Sequence, residues 1–110
     1  GADVNAKHPS GYTALMTATI RALGWYASEI YHIFILLVEN GADVNAVDDE
    51  GRTVLMNAAD RKGAEIATVL LENGADVNLK DEGGNTALMF AERSQDNPVA
   101  TLLRNFQAEQ

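Results

Sequence analysis

The sequence contains no cysteine and few basic residues. Without cysteine the chain can form no disulfide bond and no thiolate nucleophile, although this does not decide its cellular compartment. Eight lysines and arginines stand against 16 aspartates and glutamates, which gives a net charge of −8. Proteins that bind nucleic acids or anionic membranes normally gather basic residues in a patch, so this charge argues against both kinds of partner. A neutral or basic protein partner is compatible with an acidic surface.

Long apolar segments are also absent from the sequence. The longest strongly apolar run, residues 33–38, is far shorter than the ~20 residues of a membrane-spanning helix. No basic segment followed by an apolar stretch marks a signal peptide, which favours the cytoplasm over secretion. Because Gly1 lies inside a motif and is not a methionine, we expect the chain to be a piece of a longer protein. With 110 residues and 46% apolar content, the sequence predicts one folded domain.

Patterns of catalytic and metal-binding residues are missing as well. A calcium loop needs oxygen ligands at fixed spacing, and the loops that start at Asp43 and Asp76 have valine and lysine at their fifth positions. His8 and His32 are isolated in the sequence, which argues against a zinc site. The repeats described below supply no cleft for an acid–base pair, and the serines lack the context of a nucleophile. We therefore predict no catalytic residues, no metal site and no cofactor.

What the sequence does contain is an internal repeat. The motif GADVN occurs at residues 1–5, 41–45 and 74–78, so the last two copies start 33 residues apart and the first two 40 apart. Three further positions recur in every unit, namely Thr13, Thr53 and Thr86, then Leu15, Leu55 and Leu88, then Ala18, Ala58 and Ala91. Self-similarity at a period of 33 predicts stacked units that cannot fold alone.

Each unit of the repeat predicts two helices followed by a loop. The recurring threonine is suited to cap the first helix, because its hydroxyl can accept an N–H of the first turn. In the second helix, Ile66 and Leu70 recur at helical spacing and form an apolar side. Gly74 then ends this helix, since glycine readily takes a left-handed conformation. The turn-rich residues 76–84 predict a hairpin-like connection to the next unit.

The repeat resembles the ankyrin repeat, whose pattern is G-x-T-P-L-H-x-A-A, a Leu-Leu helix and a closing GADVN. The resemblance covers essentially the whole chain and implies an all-α solenoid of stacked helix-turn-helix units joined by hairpin-like loops. The implied units are residues 1–9 as the tail of a preceding repeat, 10–49 with seven inserted residues, 50–82, and 83–110 as a C-terminal capping repeat.

The chain departs from the ankyrin pattern where each first helix begins. TALM or TVLM replaces T-P-L-H, so the proline and the histidine are both absent. We expect the methionines that replace the histidine, Met16, Met56 and Met89, to pack as adaptable apolar fillers. His8 stands where the later units have aspartate, so the first loop should lack one turn-forming carboxylate.

The resemblance implies a non-catalytic module that binds a protein partner through the loop tips and the exposed side of the first helices. Carried over by position, the expected contact residues are Tyr12, Ile20 and Arg21 in the first unit, Asp49, Glu50, Arg52, Asp60 and Arg61 in the second, and Glu82, Asn85, Arg93 and Ser94 in the third. Such a groove is poor in the apolar anchors that dominate binding energy. A structural spacer within a longer solenoid, or a regulatory domain of a larger protein, is therefore an alternative.

The inserted residues fall near residues 23–29, LGWYASE, between the two helices of the first unit. We expect Gly24 to end the first helix, Ser28 to cap the second, and each helix to lengthen by about one turn, or ~5 Å. The segment contains Trp25 and Tyr26. These aromatic side chains either seal the longer helix pair, which is the interpretation we favour, or form a further partner-binding site away from the loop tips.

The two ends of the repeat array are expected to differ. Asp96 is a candidate N-cap of the last helix, residues 98–106, with Pro98 in its first turn. Arg104 stands where the earlier units have apolar residues, as in a capping repeat whose outer face meets water. At the other end, residues 1–9 contain only a loop, so the first helices have no neighbour to stack on. We expect an apolar face there, which self-associates or is covered by further repeats.

Overall fold

The computed structural model describes residues 3–24 and 27–108 of the chain. These residues form six α-helices and no β-strand, which confirms the all-helical prediction. The helices are α1 (Ala14–Ala22), α2 (Ala27–Glu39), α3 (Val54–Asp60), α4 (Ala64–Glu72), α5 (Ala87–Glu92) and α6 (Pro98–Ala108).

The helices form three consecutive pairs joined by loops. Within each pair the first helix packs on the second, and between pairs α1 contacts α3 and α3 contacts α5. The first helices of the three pairs therefore lie side by side, and α4 also contacts α6. Small residues such as Ala58, Ala67 and Ala91 are fully buried between the layers, which lets the helices approach closely.

Each first helix begins at a threonine N-cap, as predicted. The hydroxyl oxygens of Thr13, Thr53 and Thr86 accept hydrogen bonds from the backbone N–H three residues later, at 3.3, 3.2 and 3.3 Å. Met16 and Met56 are buried, as expected of apolar fillers, but each Sδ also accepts the backbone N–H of the cap threonine at 3.4 Å. The sulfur thus takes the place that glutamate or glutamine has in a capping box. The expectation of an apolar filler is wrong for Met89, which is exposed in the last unit.

Each second helix of the first two pairs ends in a glycine turn. Gly74 has a φ of 90°, in the left-handed region that favours glycine, and Gly41 has 89°. The backbone N–H of Gly74 donates to the Leu71 carbonyl at 3.3 Å, and that of Ala75 donates to the Leu70 carbonyl at 3.0 Å. This pair of bonds is the Schellman motif, which satisfies carbonyls at the helix end and confirms the predicted glycine stop.

The asparagines of the first two GADVN motifs then fasten their loops to the next glycine turns. The Asn45 Nδ2 donates to the Gly74 carbonyl at 3.1 Å, and its Oδ1 accepts the backbone N–H of Asp76 at 2.7 Å. Asn5 makes the same two bonds one unit earlier, at 3.2 and 2.6 Å. One side-chain amide therefore bridges two successive units with both its donor and its acceptor.

The seven inserted residues are distributed over both helices of the first pair and the turn between them. The helix α1 has nine residues where α3 has seven, and α2 has 13 where α4 has nine. Four residues separate α1 from α2, whereas three separate α3 from α4. The expected lengthening by about one turn is correct for α2, but α1 gains only about half a turn.

The predicted caps of the inserted segment are partly wrong. Gly24 follows the C-cap Leu23 and donates its backbone N–H to the Arg21 carbonyl at 3.0 Å, so α1 ends where expected. However, α2 begins at Ala27, which places Ser28 inside its first turn and not before it. Trp25 and Tyr26 lie outside the described residues.

The predicted N-cap of the last helix is also wrong. Asn97, not Asp96, caps α6, because its Oδ1 accepts the backbone N–H of Val99 at 3.0 Å. The Nδ2 of the buried Asn97 also donates to the Ala59 carbonyl in the neighbouring pair, at 2.7 Å. An aspartate has no donor for this second bond. The helix continues to Ala108, two residues beyond its expected end.

We expect Asn45→Ala to lower the free energy of unfolding by about 1 kcal/mol, because two hydrogen bonds between successive loops are lost. Asn78→Ala is the matched control. Asn78 has the same motif position in the last loop, and its exposed side chain makes no hydrogen bond to any described residue. The control should change stability by less than about 0.5 kcal/mol in urea unfolding. Equal losses in both variants would show that the bridge does not stabilise the stack.

Candidate functional site

The expected partner surface is mostly exposed. The exposed residues are Tyr12, Arg21, Asp49, Glu50, Arg52, Asp60, Arg61, Glu82 and Arg93. Ile20, Asn85 and Ser94 are partly buried, and Trp25 and Tyr26 lie beyond the described ranges. These residues do not all come together: Tyr12 and Arg21 line a concavity with residues of α2, and Arg61 lines another beside the start of α4. The residues that meet across units are Glu50 with Glu82, and Arg52 with Arg93.

The tip of the second loop is held in shape by an aspartate. The Asp48 Oδ1 accepts the backbone N–H of Glu50 at 2.8 Å and that of Arg52 at 3.0 Å, and the Asp48 backbone N–H donates to the Arg52 carbonyl. Asp81 has the same role in the third loop, where its Oδ1 accepts two backbone N–H groups at 2.9 Å. Both loops are therefore closed turns stabilised by a carboxylate.

In the first loop, His8 replaces this aspartate only in part. Its Nδ1 accepts the backbone N–H of Ser10 at 3.2 Å and lies 3.0 Å from the Ser10 hydroxyl, and its backbone N–H donates to the Tyr12 carbonyl at 2.8 Å. A ring nitrogen has one lone pair, whereas a carboxylate oxygen can accept from two donors at once. In the later loops the aspartate also accepts the N–H four residues later. Within this fully described first loop, the corresponding bond from the Tyr12 N–H to the His8 side chain is missing, in line with the predicted lack of a turn-forming carboxylate.

Neighbouring loop tips contact each other directly. The backbone N–H of Glu82 donates to the Glu50 carbonyl at 3.0 Å, which joins the second and third tips. The Asp49 carboxylate lies against Gly11 in the first loop, where an added Cβ would collide with it. The tips therefore form one row across the three units, and the exposed carboxylates of Asp49, Glu50 and Glu82 make this row acidic.

Two arginines from different units converge on a ring that the sequence did not single out. The guanidinium carbons of Arg52 and Arg93 lie 5.7 and 4.5 Å from the centroid of the Phe90 ring, within cation–π range. Phe90 is buried, so it orients the two guanidinium groups and does not itself present an anchor to a partner. Its only signal in the sequence is an aromatic residue at a position occupied by Thr17 and Asn57 in the other units.

Asn85 braces the third loop from within. Its backbone N–H and its Nδ2 donate to the Asp81 Oδ1 at 2.9 and 3.3 Å. These bonds favour the charged carboxylate, so the pKa of Asp81 is lowered below 3.8, first by the backbone N–H of Asn85. The Asn85 side chain, the Gly83 N–H and the Arg52 guanidinium lower it further, and partial burial opposes them.

The described residues contain no group of three or more His, Cys, Asp or Glu side chains that could hold a metal ion. The carboxylate of Asp48, in the densest acidic stretch of the sequence, instead accepts N–H groups of its own loop. In the part of the chain that the structure covers, no helix has the length and apolar character needed to cross a membrane.

The lowered pKa predicts how the third loop responds to acid. The contribution of Asp81 to stability is fully present above its unfolded pKa of 3.8 and is lost as the pH falls through the lower folded pKa. We expect the carboxyl carbon of Asp81 to titrate below 3.8 in an NMR pH series. Asp81→Asn, which keeps an acceptor oxygen but has no charge to lose, should show less acid sensitivity at the Asn85 amide. An Asp81 titration midpoint at or above 3.8 would contradict the lowered pKa.

Sequence comparison agrees with this architecture. A family model described as ankyrin repeats (3 copies) matches residues 1–81 and 23–110, which together span the whole chain. No curated protein matches the chain significantly. Ankyrin repeats are generally protein–protein interaction modules, and the family is typically non-catalytic. From this match and from the stacked helix pairs, we conclude that the chain belongs to the ankyrin repeat family.

Proposed function

We propose that the protein is a non-catalytic interaction module that binds a protein partner through its loop tips and the exposed side of its first helices. The observation that carries this proposal is the hydrogen bond from the Glu82 N–H to the Glu50 carbonyl. This bond joins the second and third loops, so their exposed carboxylates form one continuous acidic surface. A surface that spans several units can recognise an extended segment of a partner.

Preformed loops support this proposal. Asp48 and Asp81 each fix a tip through two side-chain hydrogen bonds at 2.8–3.0 Å. A loop that is already ordered loses little conformational entropy when a partner binds, so more of the contact energy appears as affinity. The tips are thus suited to present their charges in a fixed pattern.

The charge pattern indicates the chemistry of the partner. The acidic tips favour a partner that directs basic side chains toward Asp49, Glu50 and Glu82. Beside the tips, the exposed Arg52 and Arg93 are held against Phe90 and offer donors to a carbonyl or carboxylate of the same partner, although the Arg52 Nε also pairs with the Glu50 carboxylate at 3.5 Å. Opposite charges at the tips and in the groove would fix the orientation of the bound segment.

The test uses affinity capture followed by quantitative binding to each captured protein. Asp49→Lys combined with Glu50→Lys should weaken a specific partner by about tenfold or more, equivalent to ~1.4 kcal/mol, because attraction becomes repulsion. The binding that remains should depend less steeply on salt than that of the wild type.

Glu39→Lys combined with Glu72→Lys is the matched control. It makes the same change in net charge at the exposed last residues of α2 and α4, which belong to the second helices. We expect this control to bind like the wild type. If the loop variant keeps full affinity, or if the control loses as much, the loop-tip proposal is wrong and a spacer role gains support.

A further inference from the structure

The tip of the first loop, residues 8–12, closes on an imidazole where the two later tips close on a carboxylate. The His8 Nδ1 accepts the backbone N–H of Ser10 at 3.2 Å. In the later tips the Oδ1 atoms of Asp48 and Asp81 accept the N–H two residues further on, at 2.8 and 2.9 Å. A ring nitrogen that accepts an N–H carries no proton, so this geometry requires a neutral His8 ring with its proton on Nε2.

Imidazoles and carboxylates respond to different ranges of pH. A carboxylate keeps its charge and its lone pairs down to about pH 4, whereas an imidazole takes up a proton between about pH 5 and 8. Protonation converts the His8 Nδ1 from an acceptor into a donor, which then points its proton at the Ser10 N–H. The Ser10 hydroxyl, 3.0 Å from Nδ1, can accept from the charged ring, but the Ser10 N–H loses its acceptor. The first tip therefore loses a bond under conditions that leave the two later tips unchanged.

Two backbone hydrogen bonds of this tip do not involve the ring. The His8 N–H donates to the Tyr12 carbonyl and the Gly11 N–H donates to the His8 carbonyl, both at 2.8 Å. They keep the turn closed, so protonation loosens the tip and does not unfold the loop. Pro9 stands at the position of Glu82, whose N–H joins the third tip to the second. Because proline has no N–H, no bond of that kind can replace the one that the ring loses.

The charged and titratable groups around His8 lie on its own segment, on α1 and on the second loop. They are Lys7, Tyr12, Arg21 and Asp49. Lys7 is engaged elsewhere, because its Nζ donates to the Val47 carbonyl at 2.7 Å. Neither of the salt bridges found among the described residues involves His8. In this geometry no ion pair offsets the bond that the Ser10 N–H loses when the ring is protonated.

From these observations we propose that His8 makes the first loop a pH switch, whose tip is closed while the imidazole is neutral and loosened when it is protonated. For its effect on binding, the switch rests on the proposed function, because Tyr12 is both the last residue of this tip and part of the expected partner surface. A loosened tip must be ordered again when a partner binds, so affinity should fall in mildly acidic solution.

Nuclear magnetic resonance of the free, ¹⁵N-labelled chain tests the switch directly. At about pH 8 the Ser10 amide nitrogen should show a scalar coupling to the His8 Nδ1 across the hydrogen bond, and Nδ1 should have the chemical shift of an unprotonated ring nitrogen. At about pH 5 the coupling should vanish, and the Ser10 amide should exchange with water about fivefold faster relative to its intrinsic rate. The amides of Glu50 and Gly83, which bond to carboxylates, should keep their protection.

Two variants assign the response to one ring. His8→Asp gives the first tip the carboxylate of the later tips, so the Ser10 amide should stay protected at both pH values and the Tyr12 amide should gain protection. His32→Gln is the matched control, since it removes the only other histidine, which is exposed on α2, and should respond like the wild type. The switch is overturned if the Ser10 amide shows no coupling at about pH 8 or exchanges equally fast at both pH values. It is also overturned if His8→Asp keeps the response or if His32→Gln abolishes it.

Partner binding gives a separate readout. For a partner that the Asp49→Lys and Glu50→Lys double variant weakens, the wild-type affinity should fall at least about threefold more than that of His8→Asp between about pH 8 and about pH 5.5. An equal pH dependence in the two chains would overturn the regulatory role of His8. A partner that tolerates the double variant would instead contradict the loop-tip proposal, and the free chain would still decide the switch. The two proposals therefore fail on different measurements.

Discussion

The bridges from Asn5 and Asn45 to the next glycine turns set the register of the helix stack. A side-chain amide has one acceptor and one two-proton donor in fixed geometry, and in Asn45 these meet the Asp76 N–H and the Gly74 carbonyl. The left-handed glycine makes this possible, because it turns the chain sharply after the helix. Once successive loops are fixed in this way, the first helices that follow them lie side by side, and the small residues between them become buried.

The local part of this fold could be read from the sequence because its interactions span only a few residues. A threonine cap bonds to an N–H three residues later, and a glycine turn bonds to carbonyls five or fewer residues before it. The choice between Asp96 and Asn97 as the cap of α6 is different. Both residue types cap helices equally well, but only the asparagine has an N–H to donate to the Ala59 carbonyl. That carbonyl is 38 residues away in sequence.

The candidate site shows the same division between local and long-range information. Repeat alignment identifies most of the exposed positions, because solvent exposure recurs with the repeat. It does not predict that Arg52 and Arg93 share the Phe90 ring, since these residues come from two units and meet only after stacking. Asn85 was expected to face a partner, but its amide donates to the Asp81 carboxylate within the loop.

A side chain of the inserted segment in the first unit contacts Gly63 in the second unit. Glycine at this position is explained by that contact and not by its backbone conformation. Gly63 has a φ of −84°, which any residue can adopt. A Cβ at this position would nevertheless collide with the Leu23 side chain, the first residue of the inserted segment. Because the colliding atom is the end of a flexible leucine side chain, a larger residue at position 63 would displace Leu23 and would not disrupt the backbone. The sequence of one unit gives no sign of this contact, because Leu23 and Gly63 belong to different units.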